Sequence, residues 1–168
     1  MGVREHKSRA LRCVSCYVIT ASDTRTERTD DSGKAIIRML RDAGHKLAGY
    51  SILRDEPEDI RRLIMRESRR KDLQAFIVNG GTGISVRDST FDAIEGIMEK
   101  KLPGFGELFR WLSYQEIGTP AIMSRSTAGV FKGKVIISVP GSLNAVRLAM
   151  RKLILPELPH MVAEVGRP

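Results

Sequence analysis

Residues 78–90, VNGGTGISVRDST, set Gly80, Gly81 and Gly83 directly after an apolar run and follow them with Arg87, Asp88 and two hydroxyl residues. A backbone this bare lets an anion approach closely. Successive N–H groups in a glycine turn can point at one ligand, and a following helix adds partial positive charge at its N-terminus. Thr82 contributes a hydroxyl. The stretch is not a Walker A loop, because no Gly-Lys-Ser/Thr follows, and it lacks the later glycine of the dinucleotide fingerprint. Asp88 is the awkward member, since a carboxylate beside a phosphate cradle repels the ligand. A divalent cation between them resolves the conflict. Mg²⁺ matches, being held by one or two carboxylates together with phosphate oxygens and water. Alternatively, Asp88 caps a helix that starts at Ser89 or Thr90. Spacing leaves both readings open.

The elements around this stretch decide where it sits. Short β-like runs alternate with helical ones: strand 16–20, helix 32–44, strand 49–55, helix 57–71, strand 73–79 and helix 89–100. Asp31 or Ser32 can cap the first helix and Gly44 can end it, while Pro57 suits the first turn of the second. LQAFIVN at 73–79 is apolar on both faces, as a central parallel strand should be. Beyond it the pattern predicts a helix at 102–118, a short strand and loop within 121–131, a strand at 134–139, a helix from 143, and a final helical segment interrupted by Pro159. Such alternation implies a three-layer α/β/α sandwich with a mostly parallel sheet and helices on both faces.

The glycine stretch therefore lies between a strand's carboxyl end and a helix, where open α/β sheets collect ligands. Other strand ends carry Ser22 and Asp23, Asp55, and Pro140-Gly141-Ser142. Each alone is a routine turn or cap. Together at one sheet edge they predict an anion and metal pocket.

Composition narrows the partners. The chain carries 28 Lys+Arg against 20 Asp+Glu, a net +8, which suits an anionic ligand. Residues 1–12 form a basic extension and residues 13–168 are read as one domain. The arginines of RRLIMRESRRK (61–71) share a helix with Ile60, Leu63 and Ile64, and are read as a solvated face rather than a nucleic-acid patch. With one Trp and three Tyr there is no base-stacking platform, so no nucleic-acid partner is expected. Cys13 and Cys16 have C-x-x-C spacing, but in a strand such positions face opposite ways, which argues for a buried structural role. No apolar run approaches the ~20 residues that span a bilayer, and the charged start lacks a signal core. A cytoplasmic protein with no membrane partner is expected.

Several stretches, taken in order, resemble the MoaB/MogA family of molybdenum-cofactor biosynthesis proteins, whose fold also appears in gephyrin's G domain. They are S-D-T-R (22–25), D-x-S-G (30–33), D-E-P at Asp55, N-G-G-T-G with R-D-S-T, P-G-F-G-E-L-F-R (103–110), M-S-R-S-T-A-G (123–129), P-G-S (140–142) and P-E-L-P-H (156–160). The 103–110 form and the length look more like MoaB than MogA. The resemblance implies an enzyme that adenylylates molybdopterin: the pterin's terminal phosphate attacks the α-phosphate of MgATP and pyrophosphate leaves. It implies that Asp55 and Asp88 are the functional, metal-binding aspartates, and that Gly80, Gly81, Thr82 and Gly83 bind nucleotide phosphate. Ser22, Asp30, Ser32, Gly33, Ser124, Arg125, Pro140, Gly141 and Ser142 would line the nucleotide and pterin pocket. The family also implies a homotrimer or homohexamer and a separate molybdate-insertion protein as a downstream partner. The alternative within the family is a catalytically idle protein that binds pterin or nucleotide. This chain departs from the pattern in its basic extension and at Leu143, where the family often has a second proline.

Overall fold

The computed structural model describes residues 13–86 and 88–167; the basic extension and Arg87 lie outside the described residues. Its elements run β1 (Ser15–Ala21), α1 (Asp31–Asp42), β2 (Lys46–Leu53), α2 (Pro57–Glu67), β3 (Ala75–Asn79), α3 (Thr90–Glu95), β4 (Lys100–Lys101), α4 (Pro103–Ile117), a 3₁₀ turn (Thr119–Met123), β5 (Thr127–Phe131), β6 (Lys134–Val139), α5 (Leu143–Ala149), a π turn (Met150–Ile154) and α6 (Leu155–Val165). One six-stranded sheet has the order β2-β1-β3-β6-β5-β4. The first four in that order are parallel, and β5 turns back antiparallel on β6. The expected mostly parallel α/β sandwich is therefore the observed one.

Period-two alternation builds the layers. On one face Cys16 and Val18 of β1, Ala75 and Ile77 of β3, and Val135 and Ile137 of β6 pack beneath α1, α4, α5 and α6. On the other, Tyr17 and Ile19, Phe76 and Val78, and Ile136 pack against α2 and α3. Because both faces are covered, the central strands are apolar throughout. The helices supply matching stripes, Ala35, Ile36 and Leu40 from α1 and Ile60, Leu63 and Ile64 from α2.

Three elements differ from the sequence expectation. The helix expected to reach residue 100 stops at Glu95, because Glu99 N–H and Leu102 N–H bond the carbonyls of Val130 and Ala128 and draw the chain in as β4. The Arg-rich helix ends at Glu67 rather than 71. Pro159 does not interrupt the last helix, which continues to Val165. Its missing N–H removes one ladder bond, while Leu158 and Val162 stay buried against the sheet. The widened π turn just before it, in which Leu155 N–H reaches back to Met150 O, lets the chain run on from α5.

The arginines of α2 and its following turn behave as a solvated face. Arg61 pairs with Glu58 at 3.0 Å, Arg62 with Asp59 at 3.1 Å, and Arg70 with both Glu67 and Asp72 at 3.2 and 2.7 Å. The C-x-x-C spacing is likewise structural. Cys16 is buried, and that burial pushes its thiol up to about 12, far from a reactive thiolate. Among the described residues no helix is long and apolar enough to cross a membrane.

His45 follows Gly44, whose φ of +81° closes α1. The buried imidazole accepts the Val14 N–H on Nδ1 at 3.2 Å, so the neutral ring with its proton on Nε2 is the form that fits. Burial lowers its pKa. As pH falls through the ordinary histidine value, the unfolded chain takes up a proton that the folded one refuses, so stability declines until the folded ring also titrates. Denaturant unfolding at pH 7.5 and pH 5 should show a wild-type loss that His45→Asn removes. Equal pH dependence in both proteins would refute this.

Candidate functional site

The chain leaves β1 in one direction to form β2 and returns to place β3 on the other side of β1. That reversal opens a crevice at the carboxyl ends of β1 and β3, the usual ligand position in such sheets. A cavity of about 440 Å³ occupies it, lined by Ser22, Thr24 and Arg25 after β1, Gly80, Gly81, Thr82, Gly83 and Asp88 after β3, Pro140 and Gly141 after β6, and Met123 and Ser124 from the 3₁₀ turn.

The glycines shape this crevice. Gly80 has φ +101°, and a Cβ there would stand 2.1 Å from the Ala21 carbonyl oxygen. Its N–H is bonded to Val139 O at 3.1 Å, so Gly80 contributes clearance and an anchor to β6 rather than a donor for a ligand. Gly81 has φ +58°, and a Cβ on it would meet Asp55 Oδ2 at 2.2 Å. One on Gly83 would meet Asp88 Oδ2 at 2.5 Å. The two predicted aspartates thus flank the same loop.

They do different work. Asp55 is buried, and its Oδ1 accepts the N–H groups of Ser89 and Thr90 at 3.3 and 3.0 Å and the Thr90 hydroxyl at 2.7 Å, with Ser89 Oγ 3.1 Å away. A side chain from the far end of β2 therefore caps α3, while Ser89, at the helix's own cap position, makes no side-chain cap bond. The capping role weighed for Asp88 belongs to Asp55. Asp88 instead turns back on its loop. Its Oδ2 accepts the Ser85 N–H at 3.1 Å and is in contact with the Ser85 hydroxyl. Those bonds, the Gly83 amide and the Arg125 charge hold its carboxyl below the usual carboxylate range against a smaller opposing effect of burial.

Behind the cavity lies Asp30, fully buried at the start of α1. Its carboxylate accepts Thr20 Oγ1 at 2.6 Å, Tyr50 OH at 2.5 Å and Gly33 N–H at 2.9 Å, and Arg25 Nη1 stands 3.4 Å away. Burial alone would raise its pKa, but these donors outweigh it and the carboxyl is held low. Ser32 donates to Gly141 O at 2.8 Å, and Ser142 caps α5 by accepting Ala145 N–H at 3.2 Å. Asp30, Ser32, Gly33 and Ser142 therefore support the pocket rather than line it.

Arg125 is also turned away from the cavity. Its Nε donates to Thr82 O at 3.0 Å, Nη2 to Gly83 O at 2.6 Å and Asp88 O at 3.2 Å, and Nη1 to both oxygens of Asp92 at 3.0 and 3.1 Å. The guanidinium also lies over Phe91, 4.6 Å from its centroid. With its donors taken up by these acceptors, it holds the glycine loop by its carbonyls. Arg25, which lines the cavity, and Asn79, whose Nδ2 donates to Ile19 O and Thr20 Oγ1 at 3.2 and 2.8 Å, were not among the expected site residues, although both fall in the S-D-T-R and N-G-G-T-G stretches. Asn79 was legible as the polar end of an apolar strand, and Arg25 as an arginine outside any helix face.

Among the described residues, no three His, Cys, Asp or Glu side chains form a ready metal cage. A Mg²⁺ that brings phosphate oxygens needs fewer protein ligands. Asp88 at the cavity wall could hold such an ion, and Asp55 Oδ2 is a second carboxylate oxygen beside the loop.

The profile of one protein family, described as a probable molybdopterin binding domain, matches residues 17–160. Molybdenum cofactor biosynthesis protein B of Bacillus subtilis is 52% identical over 168 residues, covering 99% of each chain. A crystal structure of a molybdenum cofactor biosynthesis protein B aligns at TM-score 0.91 with 46% identity, over 95% of this chain and 100% of that one. The tungsten cofactor synthesizing protein MoaB from Pyrococcus furiosus aligns at 0.84 with 32% identity, over 94% and 100%.

The two aspartates should separate by stability. Asp55→Ala strands buried donors at the start of α3 and should cost about 2 to 4 kcal/mol. Asp88→Ala, in a partly exposed loop, should cost less than about 1 kcal/mol. Denaturant midpoints measure both, and the reverse order would overturn the assignment.

Proposed function

This chain belongs to the family of probable molybdopterin-binding domains, and on that premise we propose that it acts in molybdenum-cofactor biosynthesis as a molybdopterin adenylyltransferase. An oxygen of the molybdopterin phosphate bonds to the α-phosphorus of ATP as the bond from that phosphorus to the pyrophosphate oxygen breaks. Pyrophosphate leaves and AMP remains on the pterin phosphate. The observation that carries this reading is the crevice at the β1/β3 reversal, where a glycine-rich loop meets Asp88 in one cavity.

Phosphoryl chemistry of this kind asks the protein chiefly for position and charge neutralisation. Mg²⁺, when bound, would neutralise the triphosphate and polarise it toward attack. Asp88 would hold it, with Asp55 Oδ2 as the adjoining oxygen. Gly81 and Gly83 would let the phosphates come close, while Ser22, Thr82 and Ser124 line the same cavity with hydroxyl side chains. Asp55 Oδ1 and Arg125 would keep the loop from yielding.

One observation favours a second reading, a protein that binds pterin or nucleotide without turnover: Asp55 Oδ1 is already committed to α3, which leaves Asp88 as the carboxylate lining the cavity. Incubation with molybdopterin, MgATP and pyrophosphatase distinguishes the two. Mass spectrometry should find adenylylated molybdopterin with the wild type and a loss of at least about a hundredfold with folded Asp88→Asn, the scale of removing one electrostatic contact. Nucleotide and pterin binding without that product would establish the idle binder.

We also assign the apolar face of α4 and the 3₁₀ turn to contact between copies in a trimer or hexamer. Leu108, Trp111, Tyr114, Ile117 and Ile122 are all more than half exposed, and such a patch marks an interaction surface. Trp111→Glu should reduce the sedimenting mass to that of one chain, and an unchanged mass would refute the assignment.

A further inference from the structure

Two arginines lie near the glycine loop and the cavity, and their bonding differs. Arg125 has turned its guanidinium onto the carbonyls of Thr82, Gly83 and Asp88 and the carboxylate of Asp92. Arg25 lines the cavity itself and, among the described residues, is the one cationic side chain that does. It makes a single close bond, Nη2 to Gly141 O at 2.7 Å. Its Nη1 reaches Asp30 Oδ1 and Asn79 Oδ1 only at 3.4 and 3.5 Å, the outer limit of a hydrogen bond.

Asp30 forms a 3.4 Å ion pair with Arg25 but has closer hydrogen-bond partners. Thr20, Tyr50 and the Gly33 amide already satisfy its carboxylate at 2.5 to 2.9 Å. The Arg25 charge is therefore positioned by the fold without being fully paired, and its side chain is 28% exposed. It stands beside Gly141, where an added Cβ would come within 3.0 Å of the Gly80 Cα at the base of the glycine loop. Asp88, where a metal would sit, lies against Gly83 farther along that loop.

In the adenylyl transfer proposed above, both substrates are phosphorylated. A divalent ion neutralises the nucleotide, but the acceptor's phosphate monoester brings no cation and must be neutralised by the protein. We propose that Arg25 binds this metal-free phosphate monoester, holding the attacking group at the Gly80–Gly141 end of the crevice. A planar guanidinium suits the task, since it can bond two phosphate oxygens at once. The inference rests on the adenylyltransferase reading for its choice of acceptor, while its binding prediction does not require turnover.

Arg25→Gln retains an N–H donor for Gly141 O and removes the charge, and Arg25→Lys retains a charge without the fork. Equilibrium binding of molybdopterin and of its dephosphorylated form, followed by pterin fluorescence in the absence of nucleotide, is the direct test. Wild type should prefer the phosphorylated pterin, and Arg25→Gln should weaken its binding roughly tenfold to hundredfold, the scale of a charge-assisted bond, while leaving the dephosphorylated pterin within about twofold. Arg25→Lys should fall between. In the transfer assay, KM for molybdopterin should rise while KM for MgATP stays within about twofold. A purely structural role would weaken both pterins equally, or raise both KM values together, and either result overturns the proposal. Phosphate-selective binding lost in Arg25→Gln, with no AMP transfer by wild type, would uphold Arg25 and sink the adenylyltransferase reading. Intact transfer by Arg25→Gln with unchanged KM would do the reverse.

Discussion

A carboxylate with no exposed surface organises this end of the molecule. Asp30 gathers Thr20 from β1, Tyr50 from β2 and the first-turn amide of Gly33 in α1 onto two oxygens. An isolated charge in that position would be costly, and several kinds of donor make it tolerable. Burial and the bond to Asp30 push the Tyr50 phenol upward, so the tyrosine remains a donor at any physiological pH. Ser32, next in the same helix, then fixes the β6 turn through Gly141 O. Two strands, the start of α1 and the turn after β6 are thus registered to one buried group before any ligand arrives.

The glycine loop presents the opposite problem, because its freedom must be restrained with Thr82 as the one side chain among residues 80–83. Two neighbours do this. Asp55 reaches across from β2 to pin the start of α3, and Arg125 takes the loop's carbonyls from below. Gly80, meanwhile, sits where any Cβ would strike Ala21 O. The absence of side chains is therefore a packing requirement between β1 and β3 as well as an opening for a ligand. Removing Cβ atoms lets strands and loop approach until the Asp55 and Asp88 carboxylates stand against the same few backbone atoms.

Charge is divided economically in this arrangement. Most arginines of α2 and the turn after it face nearby Glu and Asp side chains, so the net positive balance of the chain is not concentrated there. One guanidinium holds the glycine loop from outside the cavity and the other lines its wall. The distinction follows from acceptor supply: Arg125 meets three carbonyls and a carboxylate, whereas Arg25 meets one carbonyl at close range and shares an already satisfied Asp30.

Much of this was legible from local pattern. Alternation of residue type located β1, β3 and β6, since a strand packed on both faces must be apolar throughout. Gly44 and Pro57 marked helix ends through backbone constraints that act within a few residues. The glycine loop and the acidic and hydroxyl residues at strand ends likewise pointed to one edge, because parallel strands carry their carboxyl ends together. Other features depended on distant partners. Nothing near Asp55 in sequence announces that it caps α3, which begins at Thr90. The direction of Arg125, the burial of Asp30 and the short β4 beside β5 also come from segments far apart along the chain. Local sequence determined which elements form and where a ligand crevice opens; the tertiary packing decided which charged groups line it and which are consumed in holding it, because hydrogen-bond partners are assigned by proximity in space.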